Sequence, residues 1–177
     1  CCGQNNAMSI KQFNGEWVGK EDRVLFRFNT THEQEFSFWL TRFVVKGLIQ
    51  GSQQMAVHVL AQAHPAPVAQ VMQTFQQESV AQTLNFKETY QAAKEQPLGV
   101  APLLVTSLAM NQDGEAVTLR LDVDNGQSVT VQMSTSTLQV MLALLDKLQA
   151  TAQWGVGFAE LEEQSAMPNP SAPTLMH

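Results

Sequence analysis

The sequence predicts an α+β protein with a largely antiparallel sheet, built from two hairpin-plus-helix units whose helices cover one face of the sheet. Two observations carry this prediction. Apolar residues alternate with polar ones on both sides of the Asn125-Gly126 dipeptide, which is typical of two strands joined by a tight turn. The alternation then gives way to apolar spacings of three and four, which indicate a helix. A similar succession occurs near the start of the chain.

The strands of the C-terminal unit have the clearest pattern. Their alternating apolar residues are Val117, Leu119 and Leu121 before the turn and Val129, Val131 and Met133 after it. Asn-Gly favours a type I′ turn, because that turn needs φ > 0 at both central residues. We therefore predict a two-residue hairpin loop at Asn125-Gly126. A further strand is predicted to begin at Leu103 and to end before the turn at 111–114.

A helix follows the second strand of this hairpin. Residues 134–137 are Ser-Thr-Ser-Thr, and such side chains accept hydrogen bonds from the free N–H groups of a first helical turn. The apolar residues that follow share one helix face: Leu138, Met141, Leu142, Leu145 and Leu148. This stripe is wide enough to attach the helix to its own sheet.

The N-terminal unit has the same order of elements. Its strands are predicted over 10–19, which Asn14-Gly15 interrupts, and over 23–29 and 36–40. Thr41 then caps a helix that ends at His64-Pro65, because proline lacks the backbone donor and disfavours helical geometry in the residue before it.

The two units align without a gap at an offset of 93 positions, which places residues 10–56 on residues 103–149. Identical side chains in this register are few: Val24 with Val117, Arg27 with Arg120, and Gln34 with Gln127. This number is about what chance gives. The pseudo-repeat is therefore either a duplication of one ancestor or a pair of independently similar units.

The chain divides into three regions on the same grounds. We predict a flexible segment over 1–9, a single α+β domain over 10–154 and a mostly disordered tail over 155–177. Residues 57–102 form a helical connection between the units. Within it, Val68, Val71, Met72 and Phe75 predict a short amphipathic helix, and 78–96 a second helical stretch that breaks near Asn85.

Composition excludes several classes of partner. Ten basic against sixteen acidic side chains give a net charge of −6, which disfavours binding to nucleic acid. No apolar run approaches the roughly 20 residues of a membrane span, so we expect no membrane partner. The two cysteines are adjacent, at Cys1 and Cys2, and cannot form a disulfide framework. A cytoplasmic location fits this composition.

The sequence carries no recognisable catalytic, cofactor-binding or metal-binding motif. The four histidines lack partners at ligand spacing, and the familiar local signatures of hydrolases, nucleotide-binding proteins and zinc peptidases are missing. Asp122 and Asp124 flank a turn and are better explained by turn chemistry than by a cation site. We therefore expect no cofactor and no enzymatic activity.

The predicted function is that of a non-catalytic binding or assembly module, acting as a homodimer or other homo-oligomer. Val140 and Leu144 lie beside the core-facing stripe of the last helix, and Gly47 and Gly51 have a spacing that allows close approach of another element, so these four residues form the candidate interface. The first alternative is an acidic cytosolic chaperone or adaptor that holds a segment of a partner protein. The second is an enzyme whose site is assembled from dispersed residues: Arg27, His32, Arg42 and Arg120.

Overall fold

The computed structural model describes residues 8–65, 67–68, 71–72, 75 and 89–166. It confirms the α+β class. The strands are β1 (Met8–Val18), β2 (Arg23–Thr30), β3 (Glu35–Leu40), β4 (Leu103–Asp113), β5 (Ala116–Val123) and β6 (Ser128–Ser134), and the helices with defined bounds are α1 (Arg42–Ala63), α2 (Thr135–Ala152) and α3 (Phe158–Ala166).

The six strands form a closed barrel in chain order. Within each unit the three strands are antiparallel, as the sequence predicts. Two parallel contacts join the units, one where Phe38 of β3 pairs with Leu103 of β4 and one where Met8 of β1 pairs with Val131 of β6. Met8 and Ser9 therefore belong to β1, and the prediction of a flexible segment reaching to residue 9 was wrong for these two residues; residues 1–7 lie outside the described part.

The two units share one pairing pattern. Phe26 pairs with Phe38 in the first unit, and Leu119 pairs with Val131 in the second, which keeps the predicted offset of 93 for β2 and β3. The first strands differ: Gly15 pairs with Phe26, whereas Met110 pairs with Leu119, so their offset is 95. The gapless alignment was wrong for β1 because the β1–β2 turn spans 19–22 and the β4–β5 turn spans only 114–115.

The irregularities of the first strands also correspond. The β1–β2 register shifts between Ile10 and Gln12, and the β4–β5 register shifts between Val105 and Ser107, at the same offset of 95. A shared bulge position is a specific structural likeness, because bulges re-aim the strand locally. Common ancestry of the two units stays a prediction.

Both long helices begin where the sequence predicts. The side chain of Ser134 accepts a hydrogen bond from Thr137 N at 3.2 Å, and that of Thr41 accepts one from Val44 N at 3.4 Å. Each helix packs on the first strand of the opposite unit, α1 on β4 and α2 on β1, and the two helices contact each other. The helices thus join the two units around one core.

The contact of α2 with β1 and that of α1 with β4 differ in where the small residue lies. The glycine is on the strand in the first contact and on the helix in the second. A Cβ added to Gly15 of β1 would lie 2.6 Å from Leu148 and 3.4 Å from Leu144 of α2, whereas one added to Gly51 of α1 would meet Met110 of β4. Gly15 corresponds to Met110 and Gly51 to Leu144 under the pairing offsets. The same space is filled from the helix where α2 meets β1 and from the strand where α1 meets β4.

This packing corrects the position of Leu144. Helical periodicity alone puts Leu144 outside the core-facing stripe, but the residue is only 8 % exposed because α2 also packs against β1. Gly47 and Gly51 face Leu108 and Met110 within the chain, and Val140 is half-buried. Leu144 is therefore core, and an interface role for Val140 stays a prediction.

The β5–β6 hairpin is present, but its turn is not type I′. Gly126 has φ 84°, whereas Asn125 is not among the residues with positive φ. Gly126 N donates to Val123 O and Val123 N donates to Gln127 O, each at 3.0 Å, which is the three-residue loop of a type I turn followed by a left-handed residue. The side chain of Asn125 stabilises it by accepting from Gln127 N at 3.0 Å.

The β2–β3 turn has the same geometry with a different residue in the left-handed position. Glu33, at φ 59°, occupies the place of Gly126.

We expect Gly126→Val to destabilise the protein by more than about 1 kcal/mol, since a β-branched residue is strained at positive φ. Glu33→Gly should instead raise the free energy of unfolding by up to about 1 kcal/mol, because it relieves that strain. Urea denaturation of both variants checks the pair; a stabilised Gly126→Val would contradict the turn assignment.

The prediction of a mostly disordered tail was wrong for residues 155–166. Trp154, Val156 and Leu161 are buried, and the Trp154 indole donates to Asp22 Oδ1 at 2.7 Å. Asp146 Oδ1 accepts from Phe158 N at 3.2 Å and so caps the first turn of α3. Periodicity misses this element because it is short and is anchored by distant residues. Residues 167–177 lie outside the described part.

The connection between the units is helical in part. The described residues among 67–75 are helical, as predicted, and residues 76–88 lie outside the described part. Residues 89–96 are not helical, contrary to the prediction, because hydrogen bonds from the sheet and a parallel bridge between Gln34 and Glu95 hold them. Among the residues described, the helices are too short or too polar to cross a bilayer.

Candidate functional site

The outer face of the N-terminal unit holds a segment of the chain itself. This face is the side of the sheet that points away from the core, and its polar side chains are Gln12, Asn14, Arg27, Asn29 and Glu35. Residues 89–96, here called the strap, lie across it. The contacts between the two make this the best-defined polar site in the described part of the protein.

Glu35 binds the middle of the strap. Its Oε2 accepts from the Tyr90 hydroxyl at 3.1 Å and from Ala93 N at 3.2 Å. The main chain adds two bonds, from Glu35 N to Glu95 O at 2.8 Å and from Glu95 N to Glu33 O at 3.1 Å. The buried carboxylate and the edge of β3 therefore bind the strap together.

Asn29 and Gln12 bind the main chain of Gln91, near the start of the strap. Asn29 Nδ2 donates to Gln91 O at 2.8 Å, and Gln91 N donates to Gln12 Oε1 at 3.4 Å. Asn29 is itself oriented by Gln12 N, which donates to Asn29 Oδ1 at 2.9 Å. One strap residue thus has both of its main-chain groups bound by side chains of the sheet.

Tyr90, the sole tyrosine of the sequence, covers Arg27. The guanidinium carbon of Arg27 lies 5.7 Å from the ring centroid, and Arg27 Nη2 donates to Asn14 Oδ1 at 3.2 Å. Burial, followed by the negative charge of Glu35, raises the pKa of Tyr90 above its usual value. The tyrosine therefore stays a neutral hydroxyl donor at physiological pH.

This arrangement holds the strap mainly through its backbone. The bonded strap groups are the main-chain atoms of Gln91, Ala93 and Glu95, and Tyr90 supplies the specific side chain. Recognition of this kind tolerates many sequences and selects for an extended conformation and one aromatic residue.

The C-terminal unit presents an equivalent face that is open. We call the exposed or half-exposed residues Ser107, Ala109, Arg120, Asp122, Ser128 and Thr130 the open face. Arg120 Nε donates to Asp122 Oδ1 at 2.9 Å, and Ser107 Oγ donates to Asp122 Oδ2 at 2.7 Å. Both bonds lower the pKa of Asp122, and the bond from Ser107 has the larger effect.

The structure does not bring together the four residues of the alternative enzyme site. Arg27 and Arg120 occupy equivalent positions on different units, under the strap and on the open face. His32 is exposed in the β2–β3 turn, and Arg42 is exposed at the first residue of α1. The sequence does not indicate four residues of this site: Gln12, Asn29, Glu35 and Tyr90. Glu35 is buried in contact with the strap, and no local sequence pattern predicts the path of the strap.

A second surface feature lies in the connection that follows α1. Val68, Val71 and Phe75 are 46 %, 71 % and 71 % exposed, at the spacing of one helix face. We call these three residues the exposed stripe. Apolar residues that share a face and remain exposed mark a surface that binds another molecule more often than scattered ones do.

Neither a metal centre nor a known relative directs the interpretation of these surfaces. Within the part of the chain that the structure describes, no group of three or more histidine, cysteine or acidic residues could hold a metal ion. Comparisons with protein-family models, with curated proteins and with solved structures find no match.

Proposed function

We propose that the protein is a non-catalytic binding or assembly module whose ligand is an extended polypeptide segment. The single observation that supports this function is the strap, which Glu35, Asn29 and Gln12 hold by its main chain. A face built to bind backbone is suited to an adaptor that holds a partner segment. The low cysteine content is compatible with action in the cytoplasm.

A trans-binding experiment tests whether the face itself recognises the segment. Residues 89–96 are replaced by a Gly-Ser sequence of equal length in the full chain, which leaves the connection to β4 intact. We expect a synthetic peptide of residues 89–98 to bind this variant, with amide chemical-shift changes at Gln12, Arg27 and Asn29 measured by NMR. A peptide with Tyr90→Ala should bind about tenfold more weakly, because it loses the contact with Arg27 and the bond to Glu35.

The matched control is the same strap replacement combined with Glu35→Ala, which should not bind the peptide. If the folded strap-replaced variant shows no shift changes at these three amides at millimolar peptide, the strap is held by its covalent tether alone. The proposal of a polypeptide-binding module would then lose its support.

Self-association is a second candidate function, and the exposed stripe favours it. Val68, Val71 and Phe75 would be removed from water if the stripe met its copy across a two-fold axis. Burial of such side chains contributes roughly 1.5–3 kcal/mol each, enough to support a weak dimer when a few polar contacts are added. This surface replaces Leu144, which lies in the core.

Sedimentation velocity separates this candidate from a monomer. We expect the wild type to sediment as a dimer at micromolar concentration, and Val71→Glu with Phe75→Glu to sediment as a folded monomer. The matched control is Gln50→Glu with Gln54→Glu, which adds the same charge at exposed polar positions of α1 and should leave the dimer intact. A monomeric wild type, or a control that also dissociates, would refute assembly through the stripe.

A further inference from the structure

We infer that the open face is a second polypeptide-binding site, which takes an extended segment of a partner protein bearing an aromatic residue next to a hydrogen-bond donor. This inference rests on the proposed function, since it applies the recognition seen at the strap to the other unit. The partner segment is distinct from the strap, which already occupies the N-terminal face.

The two faces have the same strand pairing. Arg27 pairs with Asn14 and Ser37, and Arg120 pairs with Ala109 and Thr130 at the corresponding positions. The bulge at the start of the first strand recurs as well. An extended chain that crosses one sheet therefore has a backbone surface of the same shape available on the other.

The two faces differ in how far their side chains are exposed. Asn29 and Glu35 are buried beneath the strap, whereas their counterparts Asp122 and Ser128 are half-exposed and exposed. The side chain of Arg120 is 56 % exposed, and its guanidinium already has Nε directed to Asp122. The guanidinium of Arg120 thus has a partner on its own strand and remains accessible to a ring from another chain.

The side chains define what the segment must offer. Arg120 stands where Arg27 stacks with Tyr90, so it selects an aromatic residue. Asp122 replaces Asn29, and a carboxylate accepts hydrogen bonds but cannot donate them. The segment must therefore place an N–H or ammonium group where the strap places the carbonyl of Gln91. A neutral or basic segment also suits a chain with a net charge of −6.

Intact wild-type protein and a defined probe test the inference. The probe is a synthetic peptide of residues 89–98 carrying Gln91→Lys, which places an ammonium group next to the ring of Tyr90, titrated into isotope-labelled protein. We expect saturable amide shift changes at Thr118, Arg120 and Asp122, and about tenfold weaker binding to Arg120→Ala, because that variant cannot stack with the ring. Arg42→Ala, which removes an exposed arginine at the start of α1, should bind as the wild type does.

Several outcomes would overturn the inference. These are the absence of shift changes at millimolar peptide, changes confined to Gln12, Arg27 and Asn29, and equal binding by Arg120→Ala. Arg120 is exposed, so its substitution should not unfold the protein, and Arg120→Lys gives a second variant that retains charge but not the planar ring contact. If the open face fails while the strap-replaced variant still binds at Arg27, the proposed function survives and only the second site is lost.

Discussion

Leu144→Glu should strongly destabilise the protein, whereas Val140→Glu should change its stability little. Both residues lie on the side of α2 that periodicity places next to the core-facing stripe, but Leu144 is buried against Gly15 and Val140 is half-buried. An unpaired charge at a buried position costs about 3–5 kcal/mol, a large share of the stability of a single domain. The half-buried position should cost about 1 kcal/mol, by the apolar area lost.

Urea denaturation monitored by circular dichroism measures both variants, with Ala150→Glu as the control at an exposed position of the same helix. If Leu144→Glu were folded and differed from the wild type only in its oligomeric state, Leu144 would lie in an interface between subunits. That result would contradict its packing on β1.

A double-mutant cycle at Gly15 and Leu144 should show strong coupling. Gly15→Met alone overpacks the contact with α2 and should cost about 1–3 kcal/mol. Leu144→Gly alone removes a core side chain and adds a helix-interior glycine, which together should cost about 3–6 kcal/mol. The double variant reproduces the arrangement of Met110 over Gly51 in the contact of α1 with β4, so it should be more stable than the sum predicts by about 1–3 kcal/mol.

The cycle is measured by denaturant titration of the four proteins, and Gly15→Met with Val140→Gly provides the matched control. Val140 lies on the same helix without a close contact to the Cβ position of residue 15, so that pair should be additive. Additivity within about 0.5 kcal/mol for Gly15→Met with Leu144→Gly would show that the two units fill this space differently.

The elements that the sequence predicts are those whose signals are local. Ser134 and Thr41 cap their helices because a side-chain oxygen needs a donor only three residues away. The strands of both hairpins follow from alternation, because one side of the sheet is buried along its whole length. The type I′ assignment fails at Asn125, since the same dipeptide also fits a type I turn with glycine in the next position.

The remainder depends on contacts between residues far apart in the chain. Closure of the barrel requires Met8 to meet Val131, and no periodicity within either strand indicates this pairing. Leu144 is buried because α2 packs against the strand of the other unit as well as its own sheet. The strap is not helical because Asn29 and Glu35 bind its backbone, which outweighs the local preference for a helix.

Hydrogen exchange of the strap amides in the intact protein tests most directly that the sheet binds this segment as a ligand. The amides of Ala93 and Glu95 donate to Glu35 and Glu33, whereas those of Ala92 and Lys94 make no hydrogen bond to the described residues. We predict that Ala93 and Glu95 exchange at least about tenfold more slowly than their neighbours, since exchange requires the strap to leave the face. Exchange of all four amides at the rate of an unstructured chain would contradict the account.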